Sequence, residues 1–136
     1  MDIQKFMAFY NQSDPFKNAC NIQVLEMGQG HSKIQMDMEE KLLNFMGTLH
    51  GGALFTLADV AAGTSITYHN RRCVTLNSNI NFIKSPAFGK ITAYGREISL
   101  DGNIANCEIE IYDHTETLVG KAEFTMFVME QPLSES

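Results

Sequence analysis

The sequence has little cysteine: three residues in 136, at Cys20, Cys73 and Cys107. An odd count without a C-x-x-C pair offers neither a disulfide framework nor a zinc site, so reduced, mostly buried thiols and a cytoplasmic setting are expected. Basic residues are also scarce, ten Lys and Arg against sixteen Asp and Glu, for a formal net charge of −6. That balance repels phosphate backbones and argues against a general nucleic-acid binder, while a local basic patch could still hold one phosphorylated ligand. No run of eighteen apolar residues occurs, so no membrane-spanning helix is expected. The initial Met-Asp-Ile-Gln-Lys lacks the basic and apolar regions of a signal peptide. None of G-x-x-x-x-G-K-[ST], G-x-G-x-x-G or G-x-S-x-G is present, which removes the phosphate-loop, dinucleotide and serine-hydrolase readings. His31, His69 and His114 fall in no ligand spacing, and no metal or other cofactor is expected.

No internal repeat, low-complexity tract or Pro/Gly-rich linker divides the chain. With 44% hydrophobic and 19% charged residues, residues 1–136 read as one globular domain able to bury a core unaided.

What is present is a hydrophobic pattern whose period changes along the chain. Ile3, Phe6, Met7 and Tyr10 share one face at helical spacing, which predicts a short helix over 2–12, ended by Ser13-Asp14-Pro15. Two strands, 20–28 and 31–38, flank the hairpin signal Gly28-Gln29-Gly30. Between Asn44 and Asn70 the only Asp, Glu, Lys or Arg is Asp59. Its neighbours leave no polar face, which predicts a buried helix over about 51–68. Beyond Arg71-Arg72 the period becomes two. Val74, Leu76, Ile80 and Phe82 read as the buried face of a strand, and Thr75, Asn77, Asn79 and Asn81 as its polar face. Three more strands follow: 90–100, then one with Cys107, Ile109 and Ile111 opposite Glu108 and Glu110 after the Asp101-Gly102 hairpin signal, then about 118–129. This order predicts an α+β fold, an antiparallel β-sheet wrapped around one long central helix.

Asp59 is the residue that core formation leaves unexplained. A carboxylate on a buried helix is costly to ionise alone, and no Lys or Arg lies within ten residues on either side. It is either a structural group bonded to backbone and hydroxyls, or a reactive acid. Directly before the helix, His50-Gly51-Gly52 allows close approach of a ligand to the backbone. The N–H groups there have no intrahelical partner and sit at the positive end of the helix dipole. Such an end suits an anion, or an oxyanion forming on a carbonyl. An ordinary glycine-rich entry loop is the alternative.

Taken together, Asn44, Gly47, His50-Gly51-Gly52 and Asp59, with Asn79-Ile-Asn-Phe-Ile-Lys-Ser-Pro-Ala87 downstream, resemble the hotdog-fold thioesterases of the phenylacetyl-CoA thioesterase-like (PaaI-type) family. The resemblance covers roughly residues 20–129; the N-terminal helix and the tail after Met129 add little to it. It implies a hotdog fold, hydrolysis of an acyl-CoA thioester and assembly as a homodimer or as a homotetramer, a dimer of dimers. It also implies roles. The Gly51 N–H polarises the thioester carbonyl, with Gly52 beside it against the substrate. Asp59 attacks that carbonyl or deprotonates a water. Asn44 orients the thioester, and Thr75, expected to point off the helix-packed face, helps hold the water. His50 either organises the loop or transfers a proton. Lys84 and Arg96 are expected at the CoA phosphates.

Gly51 and Asp59 are eight residues apart, roughly 12 Å along one helix axis. Reacting atoms must come within about 3–3.5 Å, so one subunit cannot easily bring both groups to one carbonyl. Two antiparallel helices across a two-fold axis can. Two rival functions remain. A hotdog dehydratase or hydratase would carry Asp-x-Asn-Pro-x-His or His-Phe-Pro-Gly-His, and neither occurs. A non-catalytic acyl-CoA-binding protein would not need a desolvated carboxylate beside the carbonyl.

Overall fold

The structure, a computed structural model, describes residues 1–133. Two short helices open the chain, α1 (Ile3–Ser13) and α2 (Pro15–Ala19). Each starts on an aspartate cap: Asp2 accepts from the Lys5 N–H, and Asp14 from the Lys17 N–H. The strands are β1 (Ile22–Gly28), β2 (His31–Asp37), β3 (Arg71–Phe82), β4 (Lys90–Asp101), β5 (Ile104–Asp113) and β6 (Leu118–Pro132). They form one antiparallel sheet in the order β1-β2-β4-β5-β6-β3. The long helix α3 (Gly51–Ser65) carries the chain from β2 to the far edge, where β3 is the last strand. The expected helix over 51–68 is therefore α-helical only to Ser65. A 3-10 turn over Thr67–His69 follows, and Asn70 at φ 55° swings the chain into β3.

α3 is the core. Ala53, Leu54, Leu57, Ala58, Val60, Ala61 and Ala62 are all buried, as expected of a helix with no polar face. Small residues let its backbone approach the sheet closely. The closest point is Gly95 of β4, where a Cβ would lie 2.3 Å from the Ala61 carbonyl oxygen. The Ser32 hydroxyl of β2 donates to that same oxygen at 2.8 Å. This contact seats α3 on the sheet and fixes the level at which its one charged residue, Asp59, projects.

β4, β5 and β6 alternate as expected. Cys107, Ile109 and Ile111 are buried, with Glu108 and Glu110 exposed. β3 does not follow the expected faces. Its register against β6 slips between Thr75, opposite Met126, and Asn77, opposite Thr125. Met126 is buried, so Thr75 faces inward toward α3, whereas Asn77, Asn79 and Asn81 face outward. One extra residue, Leu76, reverses the parity of the strand. Val74, Leu76 and Phe82 are 45, 55 and 56% exposed. The outward placement expected for Thr75, and the buried face expected for Val74 and Leu76, are corrected accordingly.

Candidate active site

The site is built on the first half of α3. His50 is its N-cap, in extended conformation at φ −63° and ψ 135°. Its Nδ1 accepts the Gly52 N–H at 2.8 Å, and its carbonyl accepts from Ala53 and Leu54 at 3.0 and 3.2 Å. An Nδ1 that accepts carries no proton, so the neutral ring is protonated on Nε2. Of the two possibilities left by the sequence, loop organisation is the one with a visible hydrogen bond. Gly52 has spent its amide on His50, and a Cβ there would lie 3.1 Å from Nδ1. Its missing side chain makes room for the cap, and the residue stays exposed beside Gly51 at the start of α3. Gly51, the first helical residue, is exposed, and its N–H lies outside the helical ladder at the positive end of the dipole.

Asn44 organises the preceding loop. Its Oδ1 accepts from the N–H groups of Met46 and Thr48 at 3.0 and 3.2 Å, and its Nδ2 donates to the Thr48 hydroxyl at 2.9 Å. Gly47, at φ 83°, closes the turn. The Asn44 amide thus acts on its own loop, and one Nδ2 hydrogen remains for anything else.

Asp59 lies two turns below Gly51 and is half-buried. Among the described residues it forms no ion pair. The Thr75 hydroxyl donates to its Oδ1 at 2.6 Å, and Met126 Sδ stands 3.4 Å from that hydroxyl. The bond is of the short kind formed with an ionised acceptor. The bulge in β3 creates it, because without the parity change the strand could not turn both Thr75 and Ile80 inward. Holding one carboxylate oxygen leaves the other free toward the cavity beside it.

That cavity, about 970 Å³, is lined by Asp59 and Thr75, by Phe6, Phe9 and Tyr10 of α1, and by Met126 of β6, among others. Burial raises the Tyr10 phenol well above its ordinary pKa, with Asp14 adding to the shift and Asp59 contributing less. The Cys73 thiol, on the same wall, is pushed up to about 11, chiefly by burial and then by Cys107 and Asp59. It is an apolar wall group rather than a nucleophile. No local signal in the sequence assigns α1 to the site. Its phenylalanines were visible as an apolar face, but what that face covers depends on packing.

The two basic candidates separate. Lys84 is exposed just beyond Phe82, whose ring would lie 3.7 Å from a Cβ at Gly51. It therefore sits at the Gly51 end of the site. Arg96 points away from α3, into a cleft of about 680 Å³ on the opposite face of the sheet, and pairs with Glu108 at 2.9 Å. The sheet stands between Arg96 and Asp59 of the same chain, and the structure does not bring the two together. Beyond α3, His69 Nε2 lies 2.6 Å from Glu97, whose other oxygen accepts from the Tyr68 hydroxyl. That hydrogen bond is the main cause of a Tyr68 pKa pushed up to about 12. The cluster ties the end of α3 to β4.

The sequence profile of the thioesterase superfamily matches residues 46–119, from the loop before His50 to the start of β6. The chain is 29% identical over 115 residues to a 1,4-dihydroxy-2-naphthoyl-CoA hydrolase of Listeria monocytogenes, covering 82% of this chain and 94% of that one. A hypothetical thioesterase of Streptococcus pneumoniae TIGR4, solved with coenzyme A, is 31% identical with a TM-score of 0.78, over 82% of this chain and 91% of its own. The PaaI protein of the Escherichia coli phenylacetic acid degradation operon has the same fold, with a TM-score of 0.89 over 96% of this chain and 95% of its own at 23% identity. With the family profile matching over more than half of the chain and the fold shared with these structures, the chain belongs to the thioesterase superfamily and is a hotdog-fold thioesterase.

Proposed function

We propose that this single-domain protein hydrolyses acyl-CoA thioesters to the free acid and coenzyme A, with Asp59 as the catalytic carboxylate. The observation that carries the reading is the 2.6 Å bond from Thr75 to Asp59 on the wall of a cavity lined by Phe6, Phe9, Tyr10 and Met126, with Asp14, Arg72 and Gln131 among its polar residues. Binding alone requires no oriented acid there, which disfavours a non-catalytic role. The Gly51 N–H draws charge onto the thioester oxygen. Asp59 either attacks the carbonyl carbon itself, forming a mixed anhydride that a water then hydrolyses, or deprotonates a water that attacks; in both routes the C–S bond breaks, and the CoA thiolate leaves and takes up the proton that the water gives up. Thr75 holds the carboxylate, His50 and Asn44 hold the loop that presents Gly51, and Lys84 meets CoA phosphate at that end. Variants of the pneumococcal thioesterase have been solved with alanine replacing an aspartate and a threonine sixteen positions apart, the separation of Asp59 and Thr75 here.

Two chains build each site in this reading. Gly51 and Asp59 stand roughly 12 Å apart along α3, so the amide and the acid at one carbonyl come from different copies. The edge strand β3, bare on the side away from β6, with exposed Val74, Leu76 and Phe82 and with exposed Ile83 just beyond it, supports antiparallel pairing with its own copy, since a bare apolar edge is otherwise an aggregation hazard. Such pairing sets the two α3 helices antiparallel, and dimers of this kind can associate further into a tetramer. Among the described residues no helix is long and apolar enough to cross a membrane, and a cytoplasmic setting suits a CoA ester substrate. The test is release of free thiol from a panel of acyl-CoA esters. Wild-type protein turns over at least one, and Asp59→Asn loses at least about a hundredfold in kcat. A pure, folded Asp59→Asn with near-normal turnover would sink the assignment.

A further inference from the structure

One face of α3, continued by the 3-10 turn after it, borders the cavity: Thr56, Asp59, Val60, Gly63 and Thr64 of the helix and Thr67 of the turn line it. Their spacing is that of a single helical stripe. The Thr64 hydroxyl donates to the Val60 carbonyl at 2.7 Å and the Thr67 hydroxyl to the Gly63 carbonyl at 3.0 Å. Both hydroxyls are thus spent on the helix, and the stripe beyond Asp59 offers a ligand mainly methyl groups and backbone. Opposite it lies α1, with Phe6, Phe9 and Tyr10 on the cavity and the Phe6 and Tyr10 rings stacked at 5.9 Å. α1 is fixed in place, because Asn11 donates to the Val24 carbonyl at 3.0 Å and accepts the Val24 N–H at 2.8 Å. Gly63 is the gap in the floor: a Cβ built there meets nothing within 4 Å. Glycine inside a helix costs stability relative to alanine, yet no close approach of backbone demands it here.

We propose that the cavity is an acyl channel roofed by α1 and floored by this stripe, that Gly63 sets its usable length, and that the favoured substrates carry straight apolar acyl chains. The proposal rests on the thioesterase reading and deepens it. From Asp59 to Thr67 the stripe runs roughly 12 Å. Carbon–carbon bonds of about 1.5 Å, zigzagged, need about nine or ten carbons to cover that length. Gly63 lies halfway, roughly 6 Å from Asp59, so a large side chain there closes the channel about five carbons from the carbonyl.

The experiment reads chain-length dependence with straight acyl-CoA esters from two to twelve carbons, phenylacetyl-CoA included as a ring-bearing comparison. Wild-type kcat/KM rises roughly threefold to fourfold per methylene up to about ten carbons, as expected for methylenes leaving water. In Gly63→Leu the ratio of decanoyl to butyryl kcat/KM falls at least about tenfold, since several of those methylenes are excluded. Phe9→Ala, which opens the roof without touching α3, flattens the same dependence and serves if Gly63→Leu does not fold. Equilibrium binding separates the channel from the chemistry. Asp59→Asn protein binds decanoyl-CoA at least about tenfold more tightly than butyryl-CoA, and Asp59→Asn with Gly63→Leu does not. If wild type hydrolyses no ester but this binding ratio holds, the hydrolytic reading fails and the channel stands. A flat chain-length profile, a preference for phenylacetyl-CoA over octanoyl-CoA, or a ratio unchanged in both Gly63→Leu and Phe9→Ala overturns the proposal.

Discussion

Replacing Thr75 with valine keeps the shape of the side chain and removes its hydroxyl, so it isolates the hydrogen bond to Asp59. That bond is 2.6 Å long. A hydrogen bond to a charged group contributes ~1.5–3 kcal/mol, and the exposure of Thr75 puts this one at the lower end because water competes for the same oxygen. At ~1.5 kcal/mol, the expected loss is about tenfold in rate. It falls on kcat, because a mispositioned carboxylate impairs the attack rather than the binding of the ester. Thr75→Ser keeps the donor and stays near wild type. The assay is steady-state thiol release at saturating acyl-CoA for wild type, Thr75→Val and Thr75→Ser, with thermal melting in parallel. A hydroxyl that merely supports the fold lowers the melting temperature of Thr75→Val and leaves kcat unchanged in the folded fraction. That outcome would refute the positioning role.

Two further outcomes follow from the packing and from the turn after β5. Gly95→Ala places a methyl group 2.3 Å from the Ala61 carbonyl oxygen, and both groups are backbone-anchored, so overpacking should destabilise the fold by about 2–3 kcal/mol or more in a denaturant melt; a wild-type midpoint would show that α3 does not sit as closely as described. Asp113 is held well below the usual carboxylate range by hydrogen bonds, first from the Thr115 hydroxyl and then from the Ala87 N–H. A depressed folded pKa gives stability that is present above the unfolded value of about 3.9 and is lost as pH falls toward the folded one. Asp113→Asn should therefore narrow the stability gap between neutral and acid pH, and an unaltered pH dependence of the melting temperature would contradict this.

The parts of the site legible in the sequence are those whose signal is local. Asp59 stands out because nothing charged surrounds it between Asn44 and Asn70, and His50-Gly51-Gly52 marks the helix start because glycine and a capping side chain act within one turn. The order of elements along the chain follows from period-two runs and hairpin signals, whereas the place of β3 at the sheet's far edge beside β6 is set by long-range packing. Thr75 enters the site through the family resemblance, and its facing, read from strand alternation, is wrong, since alternation assumes an unbroken pleat and Leu76 breaks it without any glycine or proline to announce the bulge. Arg96 illustrates another limit: residue type suggests a phosphate partner, whereas the pleat decides which side of the sheet it occupies. The role of α1 was hidden for a third reason. Its apolar face indicates that something is covered, and only the long-range packing around Asn11 and Val24 reveals what.

We propose that each site joins the amide of one chain to the acid of another, and the decisive experiment mixes two inactive proteins. Gly51→Pro removes the N–H at the first helical position, where proline is well tolerated, and the extended conformation of His50 at ψ 135° suits a residue before proline. Asp59→Asn removes the acid from the other half. Each alone should be nearly inactive. After co-refolding, a mixed dimer holds one site with both defects and one with neither. With random pairing, thiol release should therefore recover to about a quarter of the wild-type rate. A mixture shown to contain hetero-dimers but no more active than its parents would contradict the account.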